Sequence, residues 1–413
     1  MSSVEFLEKL LDGVRVEWLP LGELTNYEQP TKYLVEAANY SDEFATPVLT
    51  AGKTFVLGYT DEVDGIFKAS ESPVIIFDDF TTANKWVDFD FKVKSSAMKI
   101  ITSRDEKKAP LKYVYYWLNT LPSELVEGDH KRHWIGSYTQ KKIPIPCPEN
   151  PSKSLEIQTE IVRILDAFTE LTAELTAELT AELTARKIQY KHYRDQLLRF
   201  EDGDVEWKAL GEIGEFIRGK RFTKADYVED GISVIHYGEI YTRYGVFAAQ
   251  AHSKVRDDMA ESLRYAEPGD VVIAGVGETV EDVGKAVAWI GQERVAIHDD
   301  SYAFRHSMNP KYVSYVMQTA AFIDEKAKHV SRGKVNRLLI NGLEKVRIPV
   351  PLPNDPEKSL AEQARIVAIL DKFDALTNSI SEGLPREIEL RQKQYEHYRD
   401  LLLNFPKPKE VVA

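Results

Sequence analysis

Two glycine-containing patterns in this sequence are similar to phosphate-binding turns, and both are incomplete. Gly52-Lys53-Thr54 matches the end of a nucleoside-triphosphate loop, but Pro47 stands where that motif requires its first glycine. Gly275-Val276-Gly277 begins like a dinucleotide-binding turn, but Val280 replaces the third glycine. The first pattern is better explained as an exposed turn, and neither pattern predicts a cofactor.

A second candidate chemistry is metal-dependent hydrolysis. Asp78 or Asp79 follows one apolar run and Asp90-Phe91-Lys92 lies on the next, an arrangement that could bind magnesium and activate water. Alternation of Asp88 and Asp90 with phenylalanine along a strand explains the same residues without chemistry, and the second half of the chain has no counterpart. A nuclease is therefore kept only as an alternative interpretation.

Other catalytic and metal-binding signatures are missing from the sequence. No Asn or Asp is followed by the Pro-Pro-aromatic pattern of DNA adenine methyltransferases, and the histidines show no metal-ligand spacing. Cys147, the one cysteine, can form neither an internal disulfide nor a thiolate cluster. We expect a protein with no turnover, cofactor or metal of its own, located in the cytoplasm.

The composition favours a globular protein of two or three domains. The chain has 413 residues, of which 43% are hydrophobic, enough for more than one core. It has no run of about 18 apolar residues and no signal-peptide pattern at the start, which argues against membrane insertion and secretion. The net charge of -13 argues against a protein that coats DNA. Positive charge is local, because residues 1–80 carry about -10 and residues 81–142 about +5.

The sequence contains a long internal repeat. Ile-Pro-Ile-Pro-Cys-Pro at 143–148 returns as Ile-Pro-Val-Pro-Leu-Pro at 348–353, and the match continues without a gap to Phe200 and Phe405, with about half of the positions identical. A shorter block that begins Val-Glu-Trp returns as well, first at Val16 and then at Val205. Each half therefore has a shared leading block, a long dissimilar region and a shared closing block.

The dissimilar regions, about residues 24–142 and 213–347, are typical of mixed α and β structure. Segments 72–77 and 268–274 predict buried strands that open with turn residues. Segment 111–119 predicts a short helix. Two different modules are thus carried by one repeated framework.

The closing blocks predict long helices, which we call the arms. Each arm follows a proline-rich turn, and Ser154 and Ser359 are candidate caps. The first arm is predicted over about 155–198, which is long enough for an antiparallel coiled coil. In the second arm, Gly383 and Pro385 should interrupt the helix.

The unit Thr-Ala-Glu-Leu occurs three times in a row in the first arm, beginning at Thr172, Thr176 and Thr180. It places a leucine every four residues, on a stripe that drifts by about 40° per unit and that a partner helix can follow. The plain description is an alanine-rich helix that spaces two domains. If the arm sets the distance between those domains, each unit lengthens it by about 6 Å.

Two dissimilar domains, repeated helices after Ile-Pro-Ile-Pro-type turns and a central Thr-Ala-Glu-Leu tract resemble the specificity subunits of type I restriction-modification systems, closest to the type IC group. The resemblance covers essentially the whole chain. It implies an α+β fold in which two globular target recognition domains are separated by two long antiparallel coiled-coil helices, with a pseudo-twofold internal repeat. The implied segments are an N-terminal shared segment (1–22), a first recognition domain (23–142), a central helical spacer (143–212), a second recognition domain (213–347) and a C-terminal helical spacer (348–413).

The resemblance also implies a function and partners. In this family each recognition domain reads one half of a split, asymmetric site in double-stranded DNA. The helical arms set the unread spacing and dock two modification subunits, through which the restriction and translocation subunits join. The alternative, a structural coiled-coil adaptor, leaves the two large domains unexplained, and it predicts no salt-dependent DNA binding, whereas a reader requires it.

Candidate DNA contacts in the first recognition domain are side chains that can reach phosphates or base edges. Thr81, Thr82, Asn84 and Lys85 form a predicted polar loop after a strand, where Asn84 suits adenine. The lysines that follow suit phosphate or guanine, and they are Lys92, Lys94 and Lys99. A solvated loop and strand face is the alternative explanation.

A glycine and an arginine recur at matching positions of the two modules. Lys131 and Arg132 belong to segment 128–132, which the repeat places opposite segment 333–337. The cations of the second segment and its neighbour are Arg332, Lys334 and Arg337. The recurrence indicates either a shared contact with the DNA backbone or a shared role in folding.

The strongest phosphate candidate is a basic cluster in the second recognition domain. Arg218, Lys220, Arg221 and Lys224 surround Gly219, which could let the backbone approach a phosphate. An ordinary basic surface loop is the alternative. The polar aromatic run over 236–244 could reach bases, but a half-buried strand is the favoured interpretation.

Overall fold

A computed structural model of the protein describes residues 14–36, 40–50, 54–122, 132–200, 205–378 and 383–405. The chain forms two compact units. The first consists of Met1–Ala177 and Leu390–Ala413, and the second of Glu178–Glu389. Each unit therefore combines one of the two predicted recognition domains, which keep that name below, with residues from both arms.

The first unit contains the first recognition domain, part of the first arm and the end of the second. Its strands are β1 (Val16–Pro20), β2 (Thr25–Glu28), β3 (Thr46–Leu49), β4 (Val56–Thr60), β5 (Val74–Asp78), β6 (Asn84–Val87), β7 (Lys92–Val93), β8 (Met98–Ser103) and β9 (Lys142–Pro146). Its helices are α1 (Leu21–Leu24), α2 (Leu111–Leu118), α3 (His133–Gly136) and the beginning of α4 (Pro151–Leu197), with 3-10 turns at Pro30–Tyr33 and Tyr138–Gln140.

The second unit contains the second recognition domain and most of the second arm. Its strands are β10 (Val205–Ala209), β11 (Gly214–Arg218), β12 (Tyr227–Val228), β13 (Ile232–Ile235), β14 (Phe247–Ala248), β15 (Ser253–Val255), β16 (Tyr265–Ala266), β17 (Val271–Ala274), β18 (Val276–Gly277), β19 (Ala286–Trp289), β20 (Val295–Ile297), β21 (Ser301–His306), β22 (Asn336–Arg337) and β23 (Arg347–Pro351). Its helices are α5 (Leu210–Ile213), α6 (Tyr237–Thr242), α7 (Pro310–Val316), α8 (Ala320–Ala327), α9 (Ile340–Leu343), α10 (Pro356–Asn378) and the start of α11 (Gly383–Leu402), with 3-10 turns at Lys224–Asp226 and Asp257–Met259.

The repeated blocks fold into the same frame in both units. In the first, β1 pairs antiparallel with β9, with Val16 opposite Pro146 and Pro20 opposite Lys142. In the second, β10 pairs with β23, and Val205 lies opposite Pro351 in the same register. Each recognition domain is therefore inserted between two strands that the repeat has paired identically.

The two inserted domains share a central sheet and differ outside it. The first domain has strand order β2-β8-β5-β6, and the second begins its five-stranded sheet with β11-β21-β17-β19 before adding β14. The accessory sheets are unlike, with order β4-β3-β7 in the first domain and β12-β15-β13-β20-β16 in the second. The predicted buried strands are confirmed, because β5 and β17 lie inside these sheets with all of their residues buried.

The arms complete the cores of the recognition domains. The main core of the first unit joins Ile75 and Trp117 of the domain to Ile161 of α4 and to Leu402 and Phe405 of the second arm. In the same unit, Phe168 contacts Tyr398 and Thr169 contacts Tyr395, so the sequence direction of one helix opposes that of the other. The predicted α+β fold with long packed helices is confirmed.

The arm helices begin one turn earlier than the sequence analysis predicts. Ser154 and Ser359 lie inside α4 and α10, where each hydroxyl accepts a hydrogen bond of 3.0 Å from the glutamine four residues later. Asn150 and Asp355 cap the helices instead, because their side chains accept from the backbone N–H groups of residues 153 and 358. The prediction of serine caps was wrong because the buried serines pair with glutamine.

The first arm is one continuous helix of 47 residues, and the second is interrupted. In the tract, Leu175, Leu179 and Leu183 are half-buried, whereas the glutamates are exposed. Gly383, the first residue of α11, has a φ of 77°, which a continuing α-helix does not adopt and which favours glycine, so the predicted break is confirmed at this residue. Among the described helices, none is long and apolar enough to cross a membrane.

Candidate nucleic-acid interface

Two basic segments of the second recognition domain meet at one turn. Arg218 ends β11 and donates from Nε to the backbone oxygen of Asp299 over 2.9 Å. Arg337, at the end of the second segment, places Nη1 3.2 Å from the carboxylate of Asp300. The turn that follows β20 therefore collects cations that lie more than a hundred residues apart in the sequence.

The second segment is a closed loop that displays its cations. The N–H of Ser331 donates to the carbonyl of Arg337 over 2.8 Å, and the N–H of Arg337 donates back over 3.0 Å. Side chains of the loop between them, including Arg332 and Lys334, are exposed. On the first segment, the exposed side chains are Arg218, Lys220, Arg221 and Lys224. Together these residues form a cationic edge, here called the basic edge, on the second domain.

Gly219 does not serve the role predicted for it. Its N–H donates to the carbonyl of Ser301 over 3.1 Å, and a Cβ atom at this position would lie 2.1 Å from the backbone oxygen of His298. The glycine is required because the basic segment packs directly against the turn before β21. It positions the neighbouring cations and is not itself open to a phosphate.

Aromatic rings support the basic edge from below. Phe222, 2% exposed, packs its ring 5.0 Å from that of His298, which lies 4.4 Å from the ring of His236. Burial, followed by the neighbouring imidazole, lowers the pKa of His236, so the ring is neutral at neutral pH. The predicted strand over 236–244 was wrong: His236 caps helix α6, and its Nδ1 accepts from the N–H of Gly238.

The polar loop predicted in the first recognition domain is a tight turn followed by a strand. The carboxylate of Asp78 accepts from the N–H of Phe80 and from the hydroxyl of Thr81. Thr82 is buried with a φ of 61°. Both threonines therefore shape the turn, and Asn84 and Lys85 lie on β6, where the lysine is exposed.

Two of the predicted DNA-contacting lysines are buried in ion pairs. Lys92 binds the carboxylate of Glu62 over 2.6 Å and the carbonyl of Asp64 over 2.7 Å. Lys99 is 0% exposed and lies 3.1 Å from the carboxylate of Asp79. Neither ammonium group can reach a phosphate in this structure, because both are enclosed by the fold. Lys94, between them, is exposed.

The recurring arginines occupy equivalent places. Arg132 is exposed, and the residue after it, His133, donates its N–H to the carbonyl of Asp79, just beyond β5. Arg337 precedes Leu338, whose N–H donates to the carbonyl of Gly275, just beyond β17, and both of these hydrogen bonds measure 2.9 Å. Both arginines are thus held beside the end of the central strand. Lys131 and the glycine of its segment lie outside the described residues.

The carboxylates of the alternative nuclease site are not assembled. Asp90 binds Lys68 and Ser70, and these hydrogen bonds lower its pKa to about 2. Asp79 is committed to Lys99 and to the N–H of Trp134. Asp90 and Asp79 therefore serve separate structural contacts, and within the described part of the chain neither belongs to a group with metal-ligand geometry.

Within the described ranges, the group with metal-ligand geometry is His298, Asp299 and Asp300. Nδ1 of His298 accepts from the N–H of Asp300, and the carboxylate of Asp300 binds Arg337. The group therefore builds the turn that carries the basic edge. Two of its potential metal ligands, Nδ1 of His298 and the carboxylate of Asp300, are already used in these contacts.

Comparison with known proteins identifies the family. The family described as the type I restriction modification DNA specificity domain matches residues 15–185 and again residues 203–390. The chain belongs to this family. It is the DNA specificity subunit of a type I restriction-modification complex, a non-catalytic part of that enzyme.

Relatives of this specificity subunit match it over its full length. The EcoR124I/EcoR124II specificity subunit of Escherichia coli is 53% identical, with 100% of both chains covered. A putative type I specificity subunit of Haemophilus influenzae is 31% identical and covers 97% of this chain and 98% of its own. A chain from a solved type I restriction-modification system, 17% identical, has a TM-score of 0.58 over 94% of this chain and 97% of that one, which shows the same fold.

One repeated motif of the specificity subunit was not predicted from the sequence. Lys-Tyr-Val begins at Lys112 in α2 and again at Lys311 in α7, and a tyrosine follows in each helix at Tyr116 and Tyr315. The signal lies outside the two aligned blocks, so the comparison of blocks did not include it. Its side chains contact the arms in both units.

Proposed function

We propose that each recognition domain of the specificity subunit reads one half of an asymmetric, two-part site in double-stranded DNA. The observation that carries the proposal is the insertion of two different domains into identically registered β1–β9 and β10–β23 frames. Because the two frames have the same register, each domain is attached to its frame in the same way. Because the accessory sheets differ, the two domains would present different surfaces to DNA. The bounds we propose for the two domains are residues 23–142 and 213–347.

Exposed cations would bind phosphates and set the register of each domain on the duplex. In the second domain these are the cations of the basic edge. In the first domain the proposed exposed set is Lys85, Lys94 and Arg132, and Lys131, which lies outside the described residues, is proposed with them. Asn84, next to Lys85 on β6, is the proposed reader of adenine. Lys92 and Lys99 are excluded because they are buried.

The arms would set the gap between half-sites and dock two modification subunits, through which the restriction subunits join. Leu171 and Ile188 of α4 are 50% and 68% exposed, and apolar side chains exposed on a long helix favour contact with a partner. The net charge of -13 supports a division of labour in which partner subunits supply most of the positive surface around DNA.

The test is selection of DNA fragments from a random library by this chain co-expressed with its modification subunits. The expected result is a two-part motif with one fixed gap, which lengthens when one Thr-Ala-Glu-Leu unit is inserted after Leu183. The matched control replaces an existing unit by Gln-Ala-Glu-Leu, which preserves arm length and should preserve the gap. A stable complex that enriches no motif would refute the reader and leave an adaptor.

A further inference from the structure

The two Lys-Tyr-Val helices connect each recognition domain to its arm by the same contacts. In the first unit, Lys112 Nζ lies 3.0 Å from the carboxylate of Asp166 in α4, and the hydroxyl of Tyr116 donates to the same carboxylate oxygen. Residues four apart share one face of a helix, so both donors reach one acceptor. The hydroxyl of Tyr113 donates over 2.8 Å to the carbonyl of Pro144 in β9.

The second unit reproduces this arrangement from different flanking sequence. Lys311 Nζ lies 2.8 Å from Asp371 in α10, and the hydroxyl of Tyr315 donates to the same carboxylate over 2.8 Å. Tyr312 donates over 3.0 Å to the carbonyl of Pro349 in β23. Asp371 and Pro349 are the repeat equivalents of the acceptors in the first unit. Two otherwise dissimilar domains thus make the same contacts to their arm and strand pair. We call each set of a lysine, a tyrosine and the aspartate that they share a joint.

The joints constrain orientation in a way that the surrounding apolar core does not. Apolar contacts are non-directional, whereas hydrogen bonds to a charged group are strong and depend on angle. Burial raises the pKa of Tyr116 and of Tyr315, so both phenols remain protonated donors. Each domain helix is therefore fixed at two separated points, one on the arm helix and one on the strand pair.

A small rotation of a domain about its joint would shift the far side of that domain by about one base pair along the DNA. A domain of about 120 residues has a radius of gyration of about 14 Å, so its far side lies about 30 Å from the joint. A rotation of about 7° moves that far side by about 3.4 Å, the rise of one base pair. An orientation held to within a few degrees is therefore needed for a gap of one fixed length.

We infer that these two joints, Lys112–Tyr116–Asp166 and Lys311–Tyr315–Asp371, are positioning elements that restrict the specificity subunit to one gap length. The inference rests on the proposed two-part reading of DNA. The joints would determine how far the gap can vary around the length that the arms set. The sequences of the half-sites are left to the recognition surfaces.

The test measures gap tolerance in the complex with modification subunits. DNA substrates carry both selected half-sites at the native gap, one base pair shorter and one longer, and the initial rate of methylation is measured on each. In the Lys112→Met/Tyr116→Phe variant we expect the rate at the altered gaps, relative to the native gap, to rise by about 10-fold, because two orienting bonds are removed. Lys311→Met/Tyr315→Phe should act in the same way.

Three controls separate positioning from general destabilisation. Tyr27→Phe/Lys32→Met removes the same groups from an exposed part of the same domain and should leave the ratio unchanged. Val93→Ala weakens a buried strand of that domain without touching the joint, and it should lower all rates together. Lys112→Arg keeps the charged donor and should retain the single gap.

A ratio that stays at the wild-type value in both joint variants, while the half-sites are still methylated, would overturn the inference. The single variants Tyr116→Phe and Tyr315→Phe keep the buried rings and give the same readout if a double variant fails to fold. Failure of the proposed function is recognised separately, because the wild-type complex would then select no two-part motif at all.

Discussion

Replacement of Lys99 by methionine tests whether this lysine stabilises the first domain or contacts DNA. Lys99 and Asp79 are 0% and 1% exposed, and their charged atoms lie 3.1 Å apart. Removal of one partner from such a pair leaves a buried charge without compensation, which costs about 3–5 kcal/mol. Because every 1.4 kcal/mol is about tenfold in an equilibrium constant, the open form of the domain should become about 100- to 5,000-fold more populated.

Hydrogen exchange by mass spectrometry measures this change within the intact chain. Amides of β5 and β8, which carry or adjoin the two charges, should exchange faster by the same factor in Lys99→Met. The double variant Asp79→Asn/Lys99→Met should recover much of the loss. An asparagine leaves no buried charge, and its side-chain oxygen can still accept from the N–H of Trp134.

The exposed Lys85 provides the matched control. Lys85→Met should change the unfolding free energy by no more than about 0.5 kcal/mol. It should lower the slope of log binding constant against log salt by about one, as expected for a lost phosphate contact. If Lys99→Met instead left exchange unchanged and lowered the salt slope, the assignment of Lys99 to the core would be refuted.

Three further outcomes are expected. Arg337→Ala should lower the salt slope of DNA binding by about one while the first half-site motif stays the same, and an unchanged slope would remove Arg337 from the basic edge. Burial raises the pKa of Asp374, so its ionised carboxylate destabilises the fold at neutral pH, and this penalty declines as the pH falls through the raised pKa. Asp374→Asn should therefore raise the unfolding temperature at pH 7 and lose this advantage below about pH 4. Leu352 has a φ of 46° and is 43% exposed, so Leu352→Gly should relieve left-handed strain and stabilise the folded protein by up to about 1 kcal/mol. A lower unfolding temperature would instead show that the leucine side chain contributes more than the strain costs.

The parts of the fold that depend on local pattern could be predicted from the sequence. The aligned blocks predicted a repeated framework, and the helix predicted over 111–119 occurs as Leu111–Leu118. The break near Gly383 followed from its residue type. These features depend on short-range backbone preferences and on periodic burial, both of which are visible in a single sequence.

The site depended on contacts that no local pattern contains. Lys92 and Lys94 are two residues apart, yet Lys92 is buried beside Glu62 and Lys94 is exposed. Strand alternation alone does not reveal which of the two lysines pairs with an acid that is distant in the sequence. Arg218 and Arg337 meet because β11 and β22 end at the same turn. Such a meeting follows from sheet topology, which no local sequence pattern specifies.

The contribution of Leu402, Leu403 and Phe405 to the main core of the first unit has a consequence for the order of folding. The ribosome produces the first recognition domain early, but the residues that close its core are produced only after the second recognition domain. Until α11 and Phe405 emerge, apolar surface near Trp117 remains without its final cover, a state that favours aggregation or protection by chaperones. Synthesis through Phe405 is thus a condition for completing the first domain, and a chain terminated before that residue would lack both a finished second arm and a finished first core.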